Sequence, residues 1–268
     1  MKSKIINITK TQLLAAPRLG LVAALLALAA QTTVVRAGGG DDGNPSVLPP
    51  NSHPYGKSYI EWSEAHWQWL YSIPADNHPV FQDGNVDLSL YQPPGHVWFL
   101  CGSFSATPVS SGLFATANRT GTVPHGKALF FPIIDAEAST AEGNGTTKAQ
   151  LLAAARGFLD PASGLACEID GQPVQHLERY RFETPVFVWG PVPANNLLSL
   201  PVGTTTRSVS AGYFLMLAPL PPGQHTIHFT GTSGVSPNAF SLDITYHLTV
   251  QGRPPGQNGD SDDDDDQD

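Results

Sequence analysis

The chain has 268 residues, 41% of them hydrophobic but only 14% charged, with 26 glycines and 24 prolines. That composition supports a packed core and, with so many turn formers, suits a β-protein rich in loops. The formal charge of −9 works against nucleic acid and anionic membrane surfaces, because phosphate binding needs clustered Lys and Arg.

The N-terminus reads as a signal peptide over residues 1–37. Lys2, Lys4, Lys10 and Arg18 form a basic leader ahead of an apolar run from Leu19 to Ala30. That run is shorter than the ~20 residues a spanning helix needs, which argues against a membrane anchor. Val35-Arg36-Ala37 offers a small-residue cleavage site, with Gly38 as the new first residue. The expectation is export to the periplasm or the extracellular space, with no membrane association after cleavage. The leader holds five basic residues and no acids, so the mature chain carries nine basic against 23 acidic side chains, a net −14. Setting aside the seven aspartates between Asp260 and Asp268 leaves −7.

Residues 38–54 read as a flexible lead-in. From Gly56 to Tyr71, the residues Tyr59, Trp62, His66, Trp69 and Leu70 recur at steps of three and four, which predicts a helix with one apolar stripe. Pro74 ends it. His96 to Phe104 has the character of a buried strand. Lys127 to Ile134 is another, in which Pro132 demands a bulge or an edge position. Lys148 to Leu159 favours a short helix on Ala and Leu propensity. In Cys167 to Val174 the pair Asp170-Gly171 signals a hairpin. Arg179 to Trp189 and Tyr213 to Leu217 read as further strands.

The C-terminal pattern is the clearest. Pro221-Pro222-Gly223 turns the chain into His225 to Thr230. Phe240 to Val250 then alternates, with Leu242, Ile244, Tyr246, Leu248 and Val250 on one face, and Asp243, Thr245, His247 and Thr249 on the other. The predicted fold is mainly β. It is an antiparallel β-sandwich over residues 55–251, with a Trp-rich N-terminal helix and one further short helix. The acidic tail, 252–268, is expected to stay disordered through self-repulsion. Cys101 and Cys167 are the two cysteines. In an oxidising compartment they are expected to pair, closing a long loop that is worth on the order of 4 kcal/mol.

The segments Trp62-Ser63-Glu64-Ala65-His66-Trp67-Gln68-Trp69, Val97-Trp98-Phe99-Leu100, Phe130-Phe131-Pro132, Pro222-Gly223-Gln224-His225-Thr226-Ile227-His228 and Asp243-Ile244-Thr245-Tyr246-His247-Leu248 resemble an uncharacterised family of exported bacterial proteins. The likeness runs from about Tyr55 to Val250. It implies a secreted domain in which a Trp-rich helix packs on a β-sandwich, and it brings no activity, cofactor or catalytic residue with it.

Three places invite chemistry. Trp62, Trp67 and Trp69, with Glu64 beside them, would form a binding platform for a sugar ring or another flat ligand; core packing is the plainer reading of aromatics at helical spacing. Asp135 and Glu137 fall on one strand face, where one would act as acid and the other as base if their pKa values were driven apart. The histidine of this scheme is His66 on the helix or His228, which a hairpin register would set opposite Asp243 on the next strand. No Gly-x-Ser-x-Gly, Ser-x-x-Lys or His-Glu-x-x-His motif occurs. No metal site is predicted, and Ca²⁺ is the one cation the carboxylates would take weakly. Two functional expectations follow. The first is a non-catalytic exported domain binding a small molecule, glycan or partner near the Trp-rich helix. The second is a secreted hydrolase or lyase, glycan-active in one version, built on Asp135, Glu137 and a histidine.

Overall fold

A computed structural model describes residues 44–253. The expected signal peptide and the Asp-rich run from Asp260 lie outside the described residues. Helix α1 (Tyr59–Tyr71) begins three residues later than expected because Ser58 caps it. The Ser58 hydroxyl accepts from the Glu61 N–H at 3.3 Å, and the Glu61 carboxylate accepts from the Ser58 N–H at 2.7 Å. This reciprocal capping box satisfies two of the donors that a helix start leaves unpaired. Helix α2 (Lys148–Leu159) has the predicted limits and the same device, built from Thr147 and Gln150.

The body is mainly β, in two mixed sheets. The larger runs β1 (Gly84–Asn85), β4 (Gly112–Val123), β12 (Ala239–Val250), β11 (Gly223–Ser233), β6 (Ser163–Ile169), β7 (Gln172–Pro173), with β3 (Ala106–Val109) also on β4. The smaller runs β2 (Val97–Phe99), β5 (Ala128–Ser139), β10 (Thr206–Leu217), β8 (Arg181–Glu183), with β9 (Phe187–Trp189) also on β10. The expected hairpin of β11 and β12 is present, with Gly223 opposite Val250.

The purely antiparallel expectation is corrected: β12 lies parallel to β4, β2 to β5 and β1 to β4. Strand β4 carries no strong sequence signal. Its buried face is Ala115, Ala117, Arg119, Gly121 and Val123, so little apolar bulk alternates with its exposed threonines. Small residues are required there. A Cβ at Gly121 would come within 2.5 Å of the Leu88 side chain.

The sheets meet through Phe131 of β5 and Phe229 of β11, whose rings are 5.3 Å apart. Helix α2 lies on Ile134, Ala136, Ala138, Val209 and Ala211 of the smaller sheet through Leu151, Ala155 and Leu159. The expected loose lead-in is tied down from its first described residue. Asn44 exchanges two hydrogen bonds with Gln175, and Leu48 donates its N–H to Met216 at 2.8 Å. Burial of Val47 explains the attachment.

Arg119 is fully buried and pins the segment ahead of β3 to β4. Its guanidinium donates to the carbonyls of Gln82, Cys101 and Gly102 at 2.9–3.0 Å, and to Tyr246 Oη at 2.6 Å. The expected Cys101–Cys167 bond is absent; both thiols are buried and free. Cys101 Sγ sits 3.9 Å from Tyr246 Oη. Cys167, on β6, pairs with Phe229 of β11, whereas Cys101 lies ahead of β3 against Tyr246 of β12, so different neighbours hold the two thiols.

Two measurements test this interior. A thiol reagent should count two free sulfhydryls in protein unfolded without reductant, and essentially none in the native state. Replacing Arg119 by Ala strips the carbonyls of Gln82 and Gly102 of their guanidinium donor, while that of Cys101 keeps the Tyr246 hydroxyl, so the urea midpoint should fall by the equivalent of about 2 kcal/mol or more.

Candidate functional site

The site is set by a register shift in β5. Phe214 of β10 pairs with Pro132, whereas Tyr213 pairs with Ile134, so Ile133 is the extra residue of a β-bulge. Pro132 tolerates this position because β2 has already ended opposite Phe130. Without the bulge, Asp135 and Glu137 would share the face of Phe131, toward the other sheet. With it they join Phe130 and Pro132 on the face covered by α1. Across from them on β10 stand Gly212 and Ser210. A side chain at position 212 would bring its Cβ within 2.6 Å of the Asp135 Cβ, so only glycine leaves room for that carboxyl.

Helix α1 contributes two residues one turn apart. Tyr71 donates its hydroxyl to Glu137 Oε2 at 3.0 Å, and Trp67 donates its indole N–H to Ser210 Oγ at 2.8 Å. The two rings stack at 5.4 Å. Trp189 of β9 packs against Tyr71 at 4.4 Å between centroids and donates to Glu137 Oε1 at 2.8 Å. The Ser208 hydroxyl also donates to Oε1. At the end of β5, Ser139 Oγ donates to Glu142 at 2.8 Å and holds a second carboxylate near the first.

Burial pushes Glu137 well above the ordinary carboxylate range, and the neighbouring Glu142 pushes it further, against the hydrogen bonds from Ser208 and Trp189. Asp135 is raised by burial alone, to about 7. Its Oδ2 has no hydrogen-bond partner among the described residues. Asp135 and Glu137 are both half-buried as residues, with Asp135 Oδ2 itself enclosed.

Asp135 and Glu137 are thus brought together beside Trp67, as the sequence suggests, but His66 does not join them by any hydrogen bond. Its Nε2–H donates to the Leu100 carbonyl at 2.9 Å, Nδ1 has no partner, and burial lowers its pKa to about 4. The ring sits among Trp69, Phe99 and Phe130 and stays neutral. The tryptophans likewise serve packing. Trp67 and Trp69 are buried, and Trp69 donates to the Tyr91 carbonyl at 3.0 Å. Neither offers an open ring face to a ligand. Trp62 is half-buried and donates to Pro54, while Glu64 lies half-buried at the helix surface. His228 does meet Asp243, at 2.9 Å, as a partly exposed diagonal pair on the outer face of the larger sheet. Tyr71, Trp189, Ser208 and Ser210 escape sequence reading, since three distant segments supply them and no spacing links them. No cluster of three or more His, Cys, Asp or Glu able to hold a metal occurs among the described residues.

No family model matches the chain, and no curated protein sequence matches it. Two solved structures share slight likeness. One, described as the structure of PbICP-C in complex with falcipain-2, aligns over 59% of this chain and all of its own, at 17% identity and a TM-score of 0.22. The other, the solution structure of amebosin, aligns over the same fraction at 13% identity and a TM-score of 0.18. Such scores carry no argument about fold or partner.

The raised carboxyl pKa values have a definite sign. The folded state holds these protons more tightly than the unfolded chain, so their contribution is complete below about pH 4 and is lost as pH rises through about 7 for Asp135. Chemical denaturation of wild type and Asp135→Asn between pH 4.5 and 8.5 should show the variant gaining on the wild type as pH rises. The gain at pH 8 should be on the order of 1–3 kcal/mol.

Proposed function

We propose that the chain is an exported β-sandwich domain that binds a small ligand in the crevice between α1 and the strands β5 and β10. One observation carries this reading: Asp135 Oδ2 is enclosed yet has no partner, whereas Glu137 beside it is fully engaged. An unpaired buried carboxylate oxygen is costly and calls for a donor. Aromatic rings in the same cluster favour a compact cationic donor, an amine, over an anion. The export part rests on residues 1–37. No helix among the described residues is long and apolar enough to cross a membrane.

Because the cation would displace a proton from Asp135, affinity should rise with pH between 5 and 8. A thermal-shift screen of the protein against small primary and quaternary amines, with neutral polyols as controls, tests the proposal. Amines should raise the melting temperature more at pH 8 than at pH 5, and Asp135→Asn should abolish the shift. A shift that survives the substitution, or equal shifts with polyols, overturns it.

A second reading is an acid–base hydrolase, and the contrast between Asp135 and Glu137 favours it. Burial raises Asp135 to about 7, and burial with the neighbouring Glu142 raises Glu137. The buried rings of Trp67, Tyr71 and Trp189 leave little room for a sugar, which ranks this reading second. It requires turnover of aryl glycosides that is lost in both Asp135→Asn and Glu137→Gln.

A further inference from the structure

Three Asn-x-Ser/Thr tripeptides with a residue other than proline in the middle occur in the chain: Asn7-Ile8-Thr9, Asn118-Arg119-Thr120 and Asn144-Gly145-Thr146. In an exported protein such a tripeptide accepts an N-linked glycan where it lies on a surface loop. The first falls inside the expected signal peptide. The structure separates the other two, and we propose that Asn144 carries an N-linked glycan. The inference rests on the export reading and is independent of any ligand in the acid crevice.

Asn144 lies in the connection between β5 and α2, outside any strand or helix. Its Oδ1 accepts the Ser139 N–H at 3.0 Å, and its own backbone N–H is donated to the Ser139 carbonyl at 3.2 Å. The first of these bonds holds the side-chain amide by its oxygen, which leaves the nitrogen as the free end. Nδ2 donates no hydrogen bond among the described residues, and it is not enclosed, so it meets solvent. The flanking positions keep the approach clear. Gly143 is exposed, and a Cβ there would meet nothing within 4 Å. Gly145 has φ +147, and a Cβ on it would come within 2.4 Å of the Gln150 Cβ, so the middle of the tripeptide stays without a side chain. Thr146, which completes the tripeptide, is exposed.

Asn118 is placed in the opposite way. It sits in the middle of β4, which pairs with β12 from Gly112 to Val123, and it donates its N–H to Asp83 Oδ1 at 2.6 Å. The central residue of its tripeptide is the buried Arg119. To grip the backbone around Asn118, a transferase would have to strip β4 from the sheet and draw Arg119 from its four partners. A surface connection asks for no such disruption.

The donor is an oligosaccharide carried on a lipid pyrophosphate. A bond forms between Asn144 Nδ2 and the anomeric carbon of the first sugar, and the bond from that carbon to the pyrophosphate oxygen breaks. The pyrophosphate leaves with the electron pair, and the amide gives up one proton.

The test is intact-mass measurement and peptide mapping of the protein recovered from its native host, beside Asn144→Gln, Thr146→Ala, Thr146→Ser and Asn118→Gln forms expressed there. The peptide holding Asn144 should carry the added mass of an oligosaccharide. Asn144→Gln and Thr146→Ala should lose that mass, whereas Thr146→Ser, which keeps the hydroxyl, and Asn118→Gln should retain it. A chain that has lost residues 1–37 yet bears a bare Asn144 overturns this proposal alone. A chain that keeps those residues and has a bare Asn144 overturns the export reading with it. A sugar that survives Thr146→Ala, or that sits on Asn118 in place of Asn144, also overturns the proposal.

Discussion

One extra residue in β5 decides what this protein can do. The bulge at Ile133 turns the alternation of the strand over, so that two carboxyls are placed under α1 instead of between the sheets. Between the sheets they would face Phe229 and other apolar side chains with no donor at hand, a cost of several kcal/mol for each charge. Under α1 Glu137 finds Tyr71, Trp189 and Ser208. The residues on the other side of the shift become Ile134, Ala136 and Ala138, which are small enough for α2 to approach. The same displacement therefore builds a polar crevice on one face and a helix seat on the other.

Helix α1 is held by directional contacts as much as by apolar area. Each of its tryptophans gives its indole N–H to a named acceptor: Pro54, Ser210 and Tyr91. Tyr59 donates to Leu48 and Tyr71 to Glu137. Aromatic side chains with a polar edge suit this task, because they bury a large area and still fix the orientation of the helix. Arg119 acts in the same way for the segment ahead of β3. A buried guanidinium that serves three carbonyls and a tyrosine replaces the regular pairing which that segment lacks. Among the described residues two buried polar atoms stay without a hydrogen bond, Asp135 Oδ2 in the acid cluster and His66 Nδ1 under the helix.

Much of the local structure was legible. Both helices follow from period and propensity, and the C-terminal strand pair follows from its two-residue alternation. Pro132 announced an irregularity in β5. Strand β4 was silent because its inner face is Ala, Gly and one Arg, and β10 showed only its apolar end because Ser208, Ser210 and Gly212 face the crevice. The cysteine pairing and the parallel neighbours depend on which strands lie side by side, about which spacing along the chain says nothing.

The sequence by itself determined a mainly β body, a tryptophan-bearing helix with an apolar stripe, and two carboxyls on a common strand face. These are consequences of nearest-neighbour sterics and of the burial of apolar side chains at fixed periods. Only the tertiary structure decided which way that face points, that His66 turns to a backbone carbonyl, that the tryptophans close inward, and that Tyr55 and His96 meet on the surface. Each of those outcomes depends on contacts between residues far apart in the chain, whose energies are settled by packing and desolvation at the meeting point.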